Sequence, residues 1–428
     1  MPVAIFLGSL LGAMALGMPI AYALLVSAIA LMAHLDMFDA QIIAQNVING
    51  ADSFALMAVP FFMLAGEIMN AGGLSRRIVA VALAAVGHVR GGLGYVTVVA
   101  ACVLAALSGS ALADAAALAA LMVPMMVRAG HDRARSAGLV ASAGIIGPII
   151  PPSIGFVIFG VAANLSITKL FLAGIAPGLY MGLALMAAWW WCVRKEDVVP
   201  PPRAPAGAFR RALGEGVWAL VLPLIIIFGL KFGIFTPTEA GVVAAVYSLF
   251  IAVFVYRELK LRDIYPLLVR AAQTTAVVMF LVAAALVVGW LITIADLPGA
   301  LVGLLEPLVE NPTLLLLLLT LMALVLLVGT AMDMTPTILI LTPVLMPVVK
   351  AAGIDPIYFG VLFMICNVIG LVTPPVGTVL NVVAGVARIS IGEVTRGVWP
   401  FVVAQTAVLL LLVFFPSLVT VPARWLTG

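Results

Sequence analysis

Long apolar stretches follow one another along almost the whole chain, with only short polar or charged interruptions between them. A helix needs about 20 apolar residues to cross the hydrocarbon core of a bilayer. The pattern therefore predicts roughly ten or more membrane-spanning helices. The apolar segments cover residues 3–33, 54–70, 78–107, 110–127, 138–165, 170–193, 216–234, 237–256, 266–294, 312–332, 334–349, 356–387 and 397–421.

Several of these segments are unusual for simple spanning helices. The first contains Gly17-Met18-Pro19, which predicts a kink or a break at that point. The segments 110–127 and 334–349 are short, open with polar residues and contain prolines. Segments of this kind are more typical of re-entrant hairpins than of complete crossings.

The two halves of the sequence resemble each other. A polar, proline-rich stretch from Arg194 to Gly214 separates them, so we divide the chain into residues 1–193, a linker 194–215 and residues 216–428. A shift of 223 residues aligns Pro124, Gly130, Asp132, Gly147, Pro151-Pro152, Gly174 and Pro177 with Pro347, Gly353, Asp355, Gly370, Pro374-Pro375, Gly397 and Pro400. So many glycines and prolines in register predict an internal repeat.

Charge predicts the relative orientation of the two repeats. The loop 128–135 carries three arginines, whereas its counterpart has only Lys350 and Asp355 nearby. Residues 34–52 are acidic, while the equivalent 257–275 are basic. Because basic loops remain cytoplasmic, equivalent loops of opposite charge bias are expected on opposite sides of the membrane. The repeats are therefore predicted to be inverted, as in many secondary transporters.

Composition agrees with a multi-pass membrane protein. Apolar residues make up 65% of the 428 residues and charged residues only 9%, against about 25% charged in soluble domains. The net charge of +3 is spread over short loops, so nucleic acid is not expected as a partner. The sequence contains no P-loop, zinc-binding helix motif or nucleophile elbow. We therefore expect no enzyme and no cofactor, and transport energy is expected from an ion gradient.

Two polar clusters in apolar surroundings are candidates for ion binding. The first contains Ser108, Ser110 and Asp114, and the second contains Gly329, Thr330 and Asp333, with Thr335 close behind. Hydroxyl, carboxylate and carbonyl oxygens are the ligands that a hard cation prefers. An intramembrane Asp normally faces a partner, a cavity or an ion. The alternative is a helix cap with a carboxylate that a neighbouring helix satisfies.

Two proline pairs mark a second kind of element. One lies within Gly147 to Gly155 and includes Pro151-Pro152 and Ser153, and the other runs from Gly370 to Thr378 through Thr373, Pro374 and Gly377. Proline lacks the backbone N–H and clashes with the preceding turn, so a pair should unwind a helix. The freed carbonyls then need partners, which a cation or a polar substrate can provide. A plain kink is the alternative.

Three further features predict structure. Thr236-Pro237-Thr238-Glu239 matches a capping box with proline at the first helical position. Glu67 is expected to form an interfacial ion pair with Arg76 or Arg77. Trp189-Trp190-Trp191, directly before Arg194-Lys195, predicts an aromatic belt at the cytoplasmic interface.

Taken together, the motifs resemble those of one family over essentially the whole chain. The segments are Phe54 to Met69, Ser108 to Asp114, Gly147 to Gly155, Phe235 to Gly241, Gly329 to Thr337 and Gly370 to Thr378. They resemble the large membrane subunit of tripartite ATP-independent periplasmic (TRAP) transporters. The resemblance implies an all-α polytopic fold with two inverted repeats, re-entrant hairpins and broken helices, divided into scaffold and transport domains.

The resemblance also implies a function. It predicts an elevator-type, sodium-driven importer of organic acid anions, such as C4-dicarboxylates or sugar acids, in the bacterial inner membrane. The implied partners are a small four-helix membrane subunit, expected as a separate chain, a periplasmic substrate-binding protein, the organic acid anion and the surrounding lipid bilayer. The implied sodium ligands are Ser108, Ser110, Asp114, Gly147, Pro152, Gly329, Thr330, Asp333, Thr373, Pro374 and Gly377, and the implied substrate contacts are Ser110, Ser153 and Thr335.

Two alternative functions stay open at this point. One is an ion-coupled carboxylate carrier that works alone, without a binding protein. The other is a channel or an intramembrane enzyme, which the absence of a nucleophile and base at suitable spacing disfavours.

Overall fold

The computed structural model describes residues 2–194, 196, 205, 207–296, 299 and 314–427. Over these residues the chain is helical and contains no strand. The predicted linker prolines Pro200, Pro201 and Pro202 lie outside the described residues, and so do residues 300–313.

Residues of the first half form ten helices among the described residues, with a 3-10 turn at Phe54–Met57. These helices are α1 (Pro2–Ala15), α2 (Ile20–His34), α3 (Ala40–Ala51), α4 (Ala58–Ala71), α5 (Leu74–Val86), α6 (Gly92–Ser108), α7 (Ala111–Arg128), α8 (Arg133–Gly144), α9 (Ile154–Ala163) and α10 (Ile167–Val193). The break between α1 and α2 confirms the interruption predicted at Gly17-Met18-Pro19.

The second half follows the same plan, with a π-helical segment at Ile251–Val255. Its described helices are α11 (Ala208–Lys231), α12 (Pro237–Phe250), α13 (Leu261–Ile294), α14 (Leu314–Ala331), α15 (Met334–Ala351), α16 (Pro356–Gly370), α17 (Thr378–Ala387), α18 (Ile391–Phe414) and α19 (Ser417–Thr427). Eight helices of the described chain are long and apolar enough to cross a membrane. Other apolar segments are divided by turns into shorter helices.

The helix ends recur at the spacing that the sequence predicts. Adding 223 to the bounds of α7 gives those of α15, and adding 223 to the start of α8 gives the start of α16. The bounds of α9 and the start of α10 recur in α17 and α18 at an offset of 224, because one extra residue separates the second proline pair from α17. Gly174 and Pro177 inside α10 keep the offset of 223 to Gly397 and Pro400. The pairs Pro151-Pro152 and Pro374-Pro375 both have cis peptide bonds. These coincidences support the internal repeat.

Local capping explains where many helices begin. Thr236 and Glu239 form the predicted capping box at the start of α12, with Pro237 at the first helical position. Ser390 and Glu393 form the same arrangement at α18. Asp132 and Asp355, which are equivalent in the repeat, cap α8 and α16. A side-chain oxygen at these positions satisfies N–H groups that otherwise lack a partner.

Each half packs its broken helix against the other half's hairpin. Helix α9 packs on α15, and its counterpart α17 packs on α7. Outside this crossed arrangement, α2, α3 and α4 pack on α13, α4 packs on α12, and α5 packs on α11. The two halves therefore share one core, in which the hairpins and broken helices interlock.

The predicted aromatic belt includes two of the three tryptophans, and the third, Trp189, was predicted wrongly. Trp190 and Trp191 are exposed, and Arg194 stacks on Trp191, as expected of an interfacial belt. Trp189, however, is fully buried, and its indole N–H donates to the Gly91 carbonyl at 2.8 Å. Gly94 makes room for the ring, because a Cβ there would lie 2.1 Å from it. The helical periodicity turns Trp189 to the opposite face from its neighbours.

The beginning of the linker is held by charge. Glu196 pairs with Arg135 at 2.5 Å and contacts His131 Nδ1 at 3.1 Å, both in or next to the turn between α7 and α8. Arg90 also donates to the Glu196 carbonyl at 2.7 Å. Basic side chains in and near the α7–α8 turn therefore bind Glu196, just after the end of α10.

Candidate functional site

The first candidate site forms where the α6–α7 turn meets the break between α8 and α9. Gly109 takes a left-handed conformation with φ +61, which ends α6 and reverses the chain into α7. A Cβ at Gly109 would lie 2.4 Å from the Pro152 carbonyl oxygen. The hairpin turn and the proline break are therefore in direct backbone contact.

Asp114 lies in the first turn of α7 and is 4% exposed. Ser108 Oγ donates to Asp114 Oδ1 at 2.5 Å. The second carboxylate oxygen, Oδ2, is buried and has no hydrogen-bond partner among the described residues. Because a buried polar atom without a partner costs free energy, such an atom calls for a ligand.

Glycine on the opposite side makes space for this carboxylate. A Cβ on Gly147 would lie only 2.5 Å from Asp114 Oδ2. On the next turn, a Cβ on Gly144 would lie 2.6 Å from the Ala115 Cβ. The predicted residues Ser108, Asp114 and Gly147 are thus brought together, and Pro152 joins them through Gly109.

The two serines near this site have different surroundings. Ser110 caps α7 by accepting from the Ala113 N–H at 3.4 Å, and it also lines an open cleft. Ser153 is fully buried, accepts from the Phe156 N–H and donates to the Pro148 carbonyl. Its hydroxyl already has two protein partners, so its predicted contact with substrate remains a prediction.

The second candidate site lies between the α14–α15 turn and the break after α16. Asp333 is half-buried at the N-terminal cap position of α15, but its side chain makes no capping hydrogen bond. The Gly377 N–H points to the Thr330 carbonyl at 3.5 Å, so the turn and the break touch here too. Thr373 donates to the Ile369 carbonyl, and Thr335 is buried in the first turn of α15.

One polar residue at this second site, Asn367, was not predicted from the sequence. Asn367 is fully buried on α16, and its Nδ2 donates to the Met334 carbonyl at 3.1 Å. Its Oδ1 has no hydrogen-bond partner among the described residues, and a Cβ on Gly329 would lie 3.1 Å from it. A polar residue inside the apolar run 359–372 was the available signal.

The acidic residues of the two sites do not occupy equivalent positions. At the spacing of 223, Asp333 corresponds to Ser110, and Asp114 corresponds to Thr337. Asn367 corresponds to Gly144, which faces α7 beside Asp114. Among the described residues, the buried side-chain oxygen without a hydrogen-bond partner therefore comes from α7 in the first half and from α16 in the second half.

The two sites adjoin each other. A Cβ on Gly155, just after the first break, would lie 2.3 Å from Met364 Cε and 3.0 Å from Met334 Sδ. Met334 is also the residue whose carbonyl accepts from Asn367. The two oxygen-lined breaks thus form one continuous region in the shared core.

The expected ion pair of Glu67 is not formed within the described chain. Arg76 and Arg77 both bind Glu258, which Arg77 reaches at 2.6 Å, and Arg77 also stacks on Tyr256. Glu67 instead lines the cleft that Ser108 and Ser110 border. The prediction was wrong because the acidic partner of these arginines comes from far along the sequence.

The sequence of this chain matches one family of known proteins. The family described as "Tripartite ATP-independent periplasmic transporter, DctM component" matches residues 7–418. The chain is 57% identical, over 100% of both chains, to the 2,3-diketo-L-gulonate TRAP transporter large permease protein YiaN of Escherichia coli (strain K12). It is 40% identical to the sialic acid large permease SiaM of Vibrio cholerae, covering 95% of each chain.

More distantly similar proteins are transporters as well. The C4-dicarboxylate large permease DctM of Pseudomonas aeruginosa is 36% identical over 90% of each chain. Among solved structures, the YdaH transporter of Alcanivorax borkumensis superimposes with a TM-score of 0.65 at 15% identity, covering 92% of this chain and 91% of that one. At that identity the likeness concerns the fold alone. The chain belongs to the TRAP transporter family, as a large permease of the DctM type that crosses the bacterial inner membrane several times.

Proposed function

We propose that this permease is a sodium-coupled importer of small organic acids that works with a small membrane subunit and a periplasmic binding protein. The observation that carries the proposal is the buried, unpartnered Oδ2 of Asp114, enclosed between a hairpin turn and a proline break. A fixed negative charge at this depth is stable only with a compensating cation or proton.

The first sodium ion is proposed to bind at Asp114. Ser108 and Ser110 offer hydroxyl oxygens, and the unwound segment from Gly147 to Pro152 offers carbonyls beside the carboxylate. Hard oxygen atoms of this kind suit an alkali cation better than the nitrogen and sulfur atoms that transition metals select. The ion would join the hairpin to the broken helix, so its binding would order both.

The second ion is proposed to bind at the matching turn and break of the other half. Asp333 and Thr330 come from the hairpin, and the segment from Thr373 to Gly377, which includes Pro374, supplies carbonyls. The free Oδ1 of Asn367, next to Gly329, extends this donor set. The substrate carboxylate is then placed between the two breaks, within reach of Ser110, Ser153 and Thr335.

An elevator cycle is proposed for the movement. Because α9 packs on α15 and α17 packs on α7, we propose that the hairpins and breaks move together as one body. The scaffold would consist of the first span of each half and the region 216–256, in which α11 packs on α12. Loading of both ions would close the breaks and allow the core to slide.

The substrate is proposed from the relatives, whose names give 2,3-diketo-L-gulonate, sialic acid and C4-dicarboxylates. All are small acids, and the binding protein would deliver them from the periplasm. A carrier that works alone is the second candidate. Omission of the binding protein from a reconstituted assay separates the two, since only the lone carrier would still take up substrate.

The test of the sodium sites is uptake into proteoliposomes that contain both membrane subunits, with binding protein and an imposed sodium gradient. Asp114→Ala and Asp333→Ala are each expected to lower sodium-dependent uptake at least tenfold, because each removes the charged ligand of one site. Glu215→Ala, an exposed carboxylate on α11, is the matched control and should leave uptake unchanged. Uptake that persists in both aspartate variants would refute the assignment.

A further inference from the structure

A cleft opens beside the first candidate site, between the hairpin and helices α4 and α13. Ser108, Ser110 and Ile154 line one wall, while Glu67 and Asn70 of α4 and Thr274 of α13 line the other. Helix α4 approaches closely, since a Cβ on Gly66 would lie 3.7 Å from the Ser108 Cβ. The cleft therefore reaches from the proposed ion site to α4 and α13.

Glu67 gives the cleft an unusual charge. Its carboxylate has no hydrogen bond or ion pair among the described residues, because Arg76 and Arg77 are both engaged with Glu258. Among the residues that the structure describes, no lysine, arginine or histidine lines the cleft. A pocket that simply attracted carboxylates would contain a basic side chain rather than an acidic one.

The remaining polar groups suit hydroxyls. Asn70 Oδ1 accepts from Ser75 at 2.7 Å, which leaves the Asn70 amide N–H groups available as donors. Ser110 and Thr274 can donate or accept. An ionised carboxylate only accepts hydrogen bonds, and hydroxyl groups on neighbouring carbons of a sugar acid are matched donors.

We propose that Glu67 selects the substrate class by accepting hydrogen bonds from the hydroxyls of a polyhydroxylated monocarboxylic acid. The same negative charge repels the second carboxylate of a dicarboxylate, so the permease itself discriminates, independently of the binding protein. A site built around a substrate hydroxyl rejects an analogue that lacks it, because its own polar groups are then left unpaired. This inference rests on the proposed function.

The experiment measures binding to the purified complex of the two membrane subunits in lipid nanodiscs, without the binding protein. Gluconate and succinate are titrated by calorimetry in sodium and in choline buffer. In sodium the wild-type complex is expected to bind gluconate at least tenfold more tightly than succinate. Glu67→Gln, which keeps the shape and loses the charge, is expected to weaken gluconate binding and tighten succinate binding, reducing the ratio at least tenfold.

Two control variants separate the possible failures. Glu215→Gln removes the same charge from an exposed position and should leave the ratio unchanged. Asp114→Asn should abolish the sodium dependence of binding for both acids. If wild-type binding shows no dependence on sodium, the proposed function fails together with this inference. If binding depends on sodium but succinate binds as well as gluconate, or Glu67→Gln keeps the wild-type ratio, only the role of Glu67 is refuted.

Discussion

The first proposed ion site depends on the surroundings of a single carboxylate, that of Asp114. The carboxylate is buried, holds one hydrogen bond from Ser108 and keeps its second oxygen free among the described residues. Gly147 stands where any larger residue would collide with that oxygen. The small space next to Oδ2 is thus bounded by the Gly147 backbone, and the Gly144 carbonyl oxygen lies 3.2 Å from a Cβ placed there.

Filling this space is expected to damage ion binding specifically. Gly147→Ala places a methyl group 2.5 Å from Asp114 Oδ2, so either the carboxylate or the break must shift. We expect the sodium concentration for half-maximal uptake to rise at least tenfold. The measurement is sodium-dependent uptake in proteoliposomes at a fixed concentration of substrate and binding protein.

Gly385→Ala is the control for this substitution. Gly385 lies close to the C-terminal end of α17, and among the described residues a Cβ there meets nothing within 4 Å. This variant should retain the wild-type sodium dependence. An unchanged sodium dependence in Gly147→Ala would show that the space beside Asp114 is not an ion site.

Individual residues could be predicted from sequence where the local pattern was strong. Ser108 and Asp114 stood out because they interrupt an apolar run, and the structure places them in contact. Asn367 was missed because a single amide inside an apolar helix gives little periodic signal. The partner of Arg77 was predicted wrongly, since Glu258 lies in another part of the sequence and only the folded chain brings it near.

At the scale of helices, close backbone contact depends on small residues. Gly138 on α8 and Gly397 on α18 face each other, and a Cβ on Gly138 would lie 2.4 Å from the Gly397 carbonyl carbon. A Cβ on Gly397 would lie 1.9 Å from the Ala134 carbonyl oxygen. Small residues at such crossings let membrane helices pack through their backbones. The crossing fixes α18 of the second half on α8 of the first.

Gly397→Ala is therefore expected to destabilise the protein. The added methyl group overpacks a backbone contact, which typically costs about 1–3 kcal/mol. The expected result is a lower thermal unfolding temperature of the detergent-purified protein, measured by intrinsic fluorescence. Gly392→Ala is the matched control on the same helix, because nothing lies within 4 Å of a Cβ there. Equal unfolding temperatures for both variants would contradict the close crossing.

Helix existence and helix starts were the most predictable features at this scale. The capping box at Thr236 and the breaks at both proline pairs follow from local chemistry, and both are present. The exchange of partners between α9 and α15 could not be predicted, because the apolar faces of these helices do not specify which neighbour they meet. Packing of that kind is decided by shape complementarity across the whole core.

For the whole molecule, the repeat predicts that equivalent turns lie on opposite sides of the membrane. Arg128 and Ala351 are equivalent at the spacing of 223, and both are exposed. Arg128 belongs to an arginine-rich loop, which the positive-inside rule assigns to the cytoplasm. The turn after Ala351 lacks that cluster and should face the periplasm.

Cysteine labelling tests this orientation. Arg128→Cys and Ala351→Cys are introduced separately, with Cys102 and Cys192 replaced by serine and the buried Cys366 retained. A membrane-impermeant maleimide added to spheroplasts should label the cysteine at 351 and should label the one at 128 only after lysis. Labelling of both positions from the same side would refute the inverted arrangement.

The crossed packing of the two halves also has a consequence for synthesis. Helix α9 is complete at residue 163, but α15, on which it packs, ends only at residue 351. At a translation rate of about 5–20 residues per second, the partner follows roughly 10–40 s later. During that interval helix α9 of the nascent first half lacks its packing partner in the membrane. The permease should therefore depend on the insertion machinery to shelter this intermediate from proteolysis until the ribosome has delivered the second half.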